Sequence, residues 1–580
     1  MDHSKRWTTT EYLFVFLIIS IGFFLRYYHV DIRPVHHDES LHGMYSLYYL
    51  ENPIVNFYKY DPLLHGPMLY HTLPWFFWAL GVTKFALRLP AVLIGTILLL
   101  FPLFLKNHLS KGMVFILLIL MAISPTLTYW SRFIRHDSFV LFGLFVMIGG
   151  CFSPIKPLKA ILIGLGLAIQ FSAKENSFIH LSFILVFLIY EYLFCMVLQL
   201  THQTFISQIF RYLKDHPLSS LAGLSIFIAT YLHYYTAGFI YWEGAIDGLY
   251  RKSLVYWFQQ HHQERIPGPF SFPFLINTFF EAWWIPALLL HLWVFYKRQT
   301  WTIILFFLLS IVVSFLTHIF SNDPLLKEIS TNILKCKIPL DFYLFFPLIA
   351  HAIISTSIYI FENRRAKAIT AFLFFSSLFT YSYLGEKVPW LALYPLIAGL
   401  VFFSFDFDRT FHWPIIPIVI LLLAHAGYTN YWANFHASGA PENLLTQVHT
   451  TEEFESSMVE IRSQMESYEQ GIGPYLLVKK GETWPTTWYL HGRSEYHFHD
   501  NQRPLDSYNY IIGQPNDAEL NVKLRETYNK EIIPLRSWWL PQYKEMNIKN
   551  LWNYFLTKKV WNRTGSQNTG LWIKKSSFSN

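Results

Sequence analysis

The sequence predicts an α-helical polytopic membrane protein that ends in a small α/β domain. Three observations carry this prediction. Of 580 residues, 53% are hydrophobic and only 14% charged, whereas a soluble domain carries about 25% charged residues. Apolar runs of about 18 residues, long enough to cross a bilayer, recur before position 430. Beyond Tyr428 the chain turns polar, with short alternating runs of strand type.

The elements follow in order. Lys5 and Arg6 precede the run Tyr12–Tyr28, which has no small-residue cleavage site after it and reads as a retained first span. Basic residues stay on the cytoplasmic side of short loops, so the N-terminus is expected in the cytoplasm and HHDESLH (36–42) outside. Leu41, Met44, Tyr45 and Tyr48 then mark an amphipathic juxtamembrane helix. A second is expected over Pro67–Leu80, interrupted by Pro74. Further spans are read at Leu89–Leu105, Val114–Trp130, Ser138–Phe152, Ala160–Phe171, Phe178–Leu198 and Leu218–Tyr235. Later spans alternate around Lys297–Arg298, the cluster Arg364, Arg365 and Lys367, and Arg409. The total is about thirteen. It leaves residues 429–580 as an extracytoplasmic α/β domain on a multi-pass region, 1–428, in the cell membrane. That domain reads as a helix over Glu452–Tyr468, with Phe454, Met458, Ile461, Met465 and Tyr468 on one face. Strand-like runs YLLVKK, TTWYL, YNYIIG, EIIPL and GLWIKK follow it.

Composition also excludes classes of function. The net charge of +7 sits in the short loops, so it points to membrane lipids and to no nucleic acid. Cys151, Cys195 and Cys336 lie in or beside apolar runs without a CxxC, which gives neither a disulfide framework nor a zinc knuckle.

Under this topology five polar stretches share the extracytoplasmic side: HHDESLH, YDPLLHGPMLYH (60–71), SRFIRHDS (131–138), FSAKENS (171–177) and GEKVPWL (385–391). Ionisable groups at span ends are costly unless they line a polar cavity, so their convergence reads as a site. Each has a plainer alternative. Asp38 alone could cap a helix starting at Glu39. Arg132 and Arg135 could anchor to headgroups, and Asp137 could simply pair with one of them. Lys174 and Glu175 are adjacent on a helix, diverge, and should face different partners.

These stretches resemble the GT-C superfamily of integral-membrane glycosyltransferases. Asp38–Glu39 stands where that superfamily carries an acidic pair in its first external loop. YDPLLHGP resembles its Pro-containing motif, Arg88-Leu-Pro its RLP, and SPTLTYWSRFIRHD its SP…SR…D signature. AKEN, GEKVPWL and WPTTWYL (484–490) look most like the flippase-activity-associated group of archaeal protein N-glycosylation, although HGR follows WPTTWYL where an arginine is expected sooner. Protein mannosyltransferase and aminoarabinose transferase-like proteins are similar as well.

The resemblance implies a polyprenyl-phosphate sugar donor and a glycan, lipid or protein acceptor. The departing phosphate is already a good leaving group, so one carboxylate acting as base would suffice, with inversion at the anomeric carbon. Asp38 is assigned that role, with Glu39 beside it. Arg132, Arg135 and Lys174 are candidates to hold phosphate, joined by Lys387, while Asp137, Glu175 and His65 complete the substrate-binding set. Glu39 with His37 and His42 offers the mixed oxygen and nitrogen ligands of a divalent metal site, without a fixed ligand spacing to support it. Two rival functions are a flippase or transporter of lipid-linked sugars and a non-catalytic accessory protein. A transporter should show inverted repeats and discontinuous helices. Only KIPLDFYLFFPLIA (337–350) against KVPWLALYPLIA (387–398) echoes such a repeat.

Overall fold

The computed structural model describes residues 7–260, 266, 268–320, 345–408, 416–498, 503–542 and 545–575. Lys5, Arg6, Arg409 and residues 337–344 of the repeat-like segment lie outside them. Five helices are long and apolar enough to cross a membrane: Thr9–Tyr27 (α1), Lys84–Phe104, Lys156–Ala173, Asn176–Val197 and Pro389–Phe407. A sixth crossing counts the pair Phe272–Phe280 and Trp284–Tyr296, bent by 107° at its break. Shorter apolar helices cover Lys111–Ile123, His136–Phe152, Trp301–Leu316 and Phe346–Phe361. The total of about thirteen stays an expectation for the whole chain.

Where the helices depart from expectation, local chemistry gives the reason. The run 114–130 is two helices, Lys111–Ile123 and Pro125–Trp130. Pro125 has no N–H to continue the ladder and holds Ser124 out of the helical region. Ser124 then caps the second helix by accepting from the Leu127 N–H at 3.1 Å. The helix expected over 160–171 runs from Lys156 to Ala173. The first juxtamembrane helix is longer than its apolar stripe, spanning His37–Glu51 (α2). The second, Met68–Leu80 (α3), continues through Pro74. An amphipathic helix, Phe205–Asp215, occupies what reads as a basic loop.

The C-terminal region holds a six-stranded mixed sheet: β1 (His449–Thr450), β2 (Leu476–Val478), β3 (Tyr496–Phe498), β4 (Tyr510–Gly513), β5 (Tyr528–Trp538) and β6 (Gly565–Lys574), in the order β1-β5-β6-β4-β2-β3. β2 runs parallel to β3 and β4, and the other pairs are antiparallel. The helix Glu452–Glu466 buries Phe454, Met458, Ile461 and Met465, as the spacing requires, but it ends before Tyr468, which is exposed. TTWYL is not a strand. It lies in the helix Thr483–Tyr489, which packs on α2. Burial of Trp488 against α2 overrides the β-propensity of the run.

That docking depends on Gly43. A Cβ there would come within 2.6 Å of the Trp488 ring. Gly43→Leu should therefore destabilise the protein by about 1–3 kcal/mol and expose the C-terminal region to protease. Unchanged melting and unchanged cleavage would contradict this packing.

A buried polar lock ties four helices together at the other end of Pro389–Phe407. Asp406 accepts from Tyr359 at 3.0 Å and from Lys367 at 3.1 Å, and meets His291 Nδ1 at 2.7 Å. His291 in turn meets His351 at 2.8 Å.

Candidate functional site

The site is built around the start of α2. The helix begins at His37, so its N-cap is His36. His36 Nδ1 accepts from the Asp38 N–H at 3.0 Å, and Glu39 accepts from the His36 N–H at 3.2 Å. This reciprocal arrangement satisfies two of the unpaired donors at the helix start. Asp38 is therefore not the cap, and its carboxylate is left for another partner.

That partner is Arg135, whose Nη1 donates to Asp38. Arg135 Nε donates to Asp137 at 3.0 Å, and its guanidinium lies 3.6 Å from the centre of the Trp390 ring. Asp137 is the hub of the cluster. Lys174 donates to both of its oxygens at 3.0 Å, and the Tyr394 hydroxyl donates at 2.7 Å. Beside it, Glu175 accepts from Tyr60 at 2.5 Å and pairs with His65 Nδ1 at 2.9 Å. Lys174 and Glu175 thus face different partners.

Among these carboxylates Asp38 alone reaches solvent appreciably. Its side chain is 28% exposed, against 8% for Glu175, 1% for Asp137 and 0% for Glu39. Burial alone would raise the pKa of Asp38, but the Arg135 charge, followed by His36 and His37, holds it well below the usual carboxylate range.

Four of the sequence-predicted residues come together: Asp38, Arg135, Asp137 and Lys174, with Glu175 and His65 adjoining. Glu39 does not join them. It turns into the protein, where Arg88 donates to it at 2.9 and 2.6 Å and the Ile134 N–H at 3.2 Å. Burial opposes its charge, yet Arg88 brings its pKa down to about 2. Arg132 is corrected too. Its guanidinium donates to the carbonyls of Leu25, Arg26, Tyr28 and His29, tying down the end of α1. A cation at a helix C-terminus satisfies orphan carbonyls and the helix dipole. Lys387 does the same for the helix Arg365–Tyr383, donating to Ser382 and, at 2.7 Å, to Leu384.

The metal set is not assembled. His42 Nδ1 meets the Tyr70 hydroxyl at 2.8 Å, His37 Nδ1 accepts from Arg536 at 2.7 Å, and Glu39 faces Arg88. Among the described residues no group of three or more His, Cys, Asp or Glu side chains is placed to hold a metal ion.

Sequence reasoning missed Trp390, Tyr394, Tyr60, Arg536 and the structural part played by Arg88. An arginine inside an apolar run was a readable signal for Arg88. The aromatic residues carried none, because Tyr and Trp are common throughout the spans.

No protein-family model and no curated protein matches the chain, so the finer likeness to the flippase-activity-associated group has no counterpart among them. Among solved structures the chain is similar to ArnT from Cupriavidus metallidurans. For the apo state the identity is 12% and the TM-score 0.44, and for the form bound to undecaprenyl phosphate 11% and 0.45. Each comparison covers 91% of this chain and 97% of that one. A likeness this distant fixes neither activity nor substrate.

Proposed function

We propose that this protein transfers a sugar from a polyprenyl-phosphate donor to an acceptor hydroxyl on the extracytoplasmic face of the cell membrane, with Asp38 as the base. The observation that carries this reading is the solvent-reaching Asp38 carboxylate held by a buried arginine, beside helices long enough to seat a lipid tail. Its oxygen takes the acceptor proton as the acceptor oxygen bonds to the anomeric carbon. The bond from that carbon to the phosphate oxygen breaks, and the electron pair leaves on polyprenyl phosphate. Attack opposite the leaving group inverts the anomeric centre.

A carboxylate paired with arginine is a weak base at rest. Among the described residues Arg135 Nη2 makes no hydrogen bond, so a phosphate can engage it and draw the guanidinium away from Asp38, which raises the basicity of Asp38 when donor is bound. Arg135→Ala is expected to weaken donor binding. Lys174→Ala should do so less directly, by unbalancing Asp137.

One observation favours a transporter: the 107° break between Phe272–Phe280 and Trp284–Tyr296. The charged residue at that break, Glu281, is already occupied by Ser124 at 2.6 Å and Trp283 at 3.1 Å. The two functions separate when purified protein is given a polyprenyl-phosphate sugar labelled in the sugar, with cell-membrane extract as acceptor. Transfer moves the label off the lipid and inverts the anomeric centre, whereas transport leaves it lipid-bound.

Orientation is tested independently. External thiol reagents should label a Cys placed at Ser467 and miss one placed at Lys367. The opposite pattern would put Asp38 on the cytoplasmic side.

A further inference from the structure

We infer that Arg536, from the C-terminal sheet, completes an anion site over Asp38 and recognises a phosphate group of one of the two substrates. The inference rests on the transferase reading above and gives the C-terminal region a direct part in it.

Arg536 reaches α2 because β5 is irregular. Its pairing with β6 skips one residue between Pro534 and Arg536, a bulge at Leu535. Bulges re-aim side chains and gather beside functional sites. Thr451 pins this one, its N–H donating to the Leu535 carbonyl at 3.2 Å. Arg536 then donates through Nη2 to His37 Nδ1 at 2.7 Å and to the Trp484 carbonyl at 2.9 Å. His37 immediately precedes Asp38, and the Asp38 carboxylate lies close enough to bear on the Arg536 charge.

What marks Arg536 is its remaining donors. Among the described residues the buried Nε has no hydrogen-bond partner and Nη1 makes no hydrogen bond. A buried guanidinium N–H without an acceptor is costly, so an acceptor is expected there. The Glu482 carboxyl bears on the Arg536 charge ahead of Asp38, and its own Oε2 is unpartnered among the described residues, so it is an acceptor within the chain for Nε, and Nη1 is the donor left for a ligand. Asp38 thus stands between two arginines, each with an unused donor: Arg135 from the helical region and Arg536 from the sheet. The planar fork of Arg suits phosphate oxygens, which either the lipid donor or a phosphorylated acceptor could supply.

The test measures binding of undecaprenyl phosphate, and separately of inorganic phosphate, to the full-length protein in detergent. Arg536→Met should weaken undecaprenyl phosphate by about tenfold or more, with Arg536→Lys intermediate. His37→Ala breaks the same contact between domains but leaves the guanidinium free, and should retain binding. If only inorganic phosphate binding is lost, the site takes the acceptor's phosphate instead. Unchanged binding of both probes by a folded Arg536→Met protein overturns the inference. So does an equal loss in His37→Ala, which would show that Arg536 acts only through docking. A wild-type protein that fails to bind undecaprenyl phosphate while Arg536 still governs inorganic phosphate contradicts the donor assignment and not the anion site.

Discussion

Arg88→Ala is expected to destabilise the protein by about 3–5 kcal/mol, because it leaves the buried Glu39 charge without its partner. The guanidinium is fully buried and all its donors are engaged. Besides Glu39 it donates to Val30 and Arg33 at 3.0 Å and to Pro34 at 2.9 Å. It therefore fixes both the loop leading into α2 and the residue next to Asp38. Thermal melting in detergent would measure the loss, and a melting point equal to wild type would contradict it. The pair also leaves a pH signature. Glu39 has its pKa lowered from 4.5 to about 2, so the unfolded chain binds its proton first as pH falls. The stabilisation is present in full above about pH 4.5 and drains away toward pH 2. In Arg88→Ala that acid-dependent component should disappear.

How much of this was legible in the sequence depends on whether a residue's role is local or tertiary. Period and length located α1, both juxtamembrane helices and the helix over 452–466, because hydrophobic spacing acts within one element. HHDESLH stood out as a candidate for the same reason: two carboxylates beside a span are anomalous wherever their side chains end up. Sequence reading assigned the base to Asp38, but it could not show that Glu39 turns into the protein. Adjacent residues on a helix diverge, and which one meets Arg88 depends on how Lys84–Phe104 packs. Arg132, Arg135 and Lys387 likewise read as equivalent cations. Arg132 and Lys387 close helix ends while Arg135 faces a carboxylate, a distinction made by backbone carbonyls from distant segments. The strand reading EIIPL ended at Leu535, one residue before Arg536, since a bulge interrupts the alternation that reveals a strand.

Asp38→Asn should lower sugar transfer by about 10²–10⁴-fold while the protein stays folded. The substitution keeps the side-chain shape and removes the oxygen that accepts the proton. It spares the helix start, because His36 and Glu39 form the cap, and it spares Arg135, which still pairs with Asp137. A loss of activity cannot then be charged to a lost cap or a collapsed cluster, provided melting and expression match wild type. The decisive measurement is the initial rate at which purified wild-type and Asp38→Asn proteins move labelled sugar from polyprenyl phosphate to acceptor, with donor binding measured on the same samples. The prediction is a rate lowered by about two to four orders of magnitude with donor binding retained. Folded Asp38→Asn protein that transfers sugar at the wild-type rate would contradict it and remove Asp38 from the chemistry.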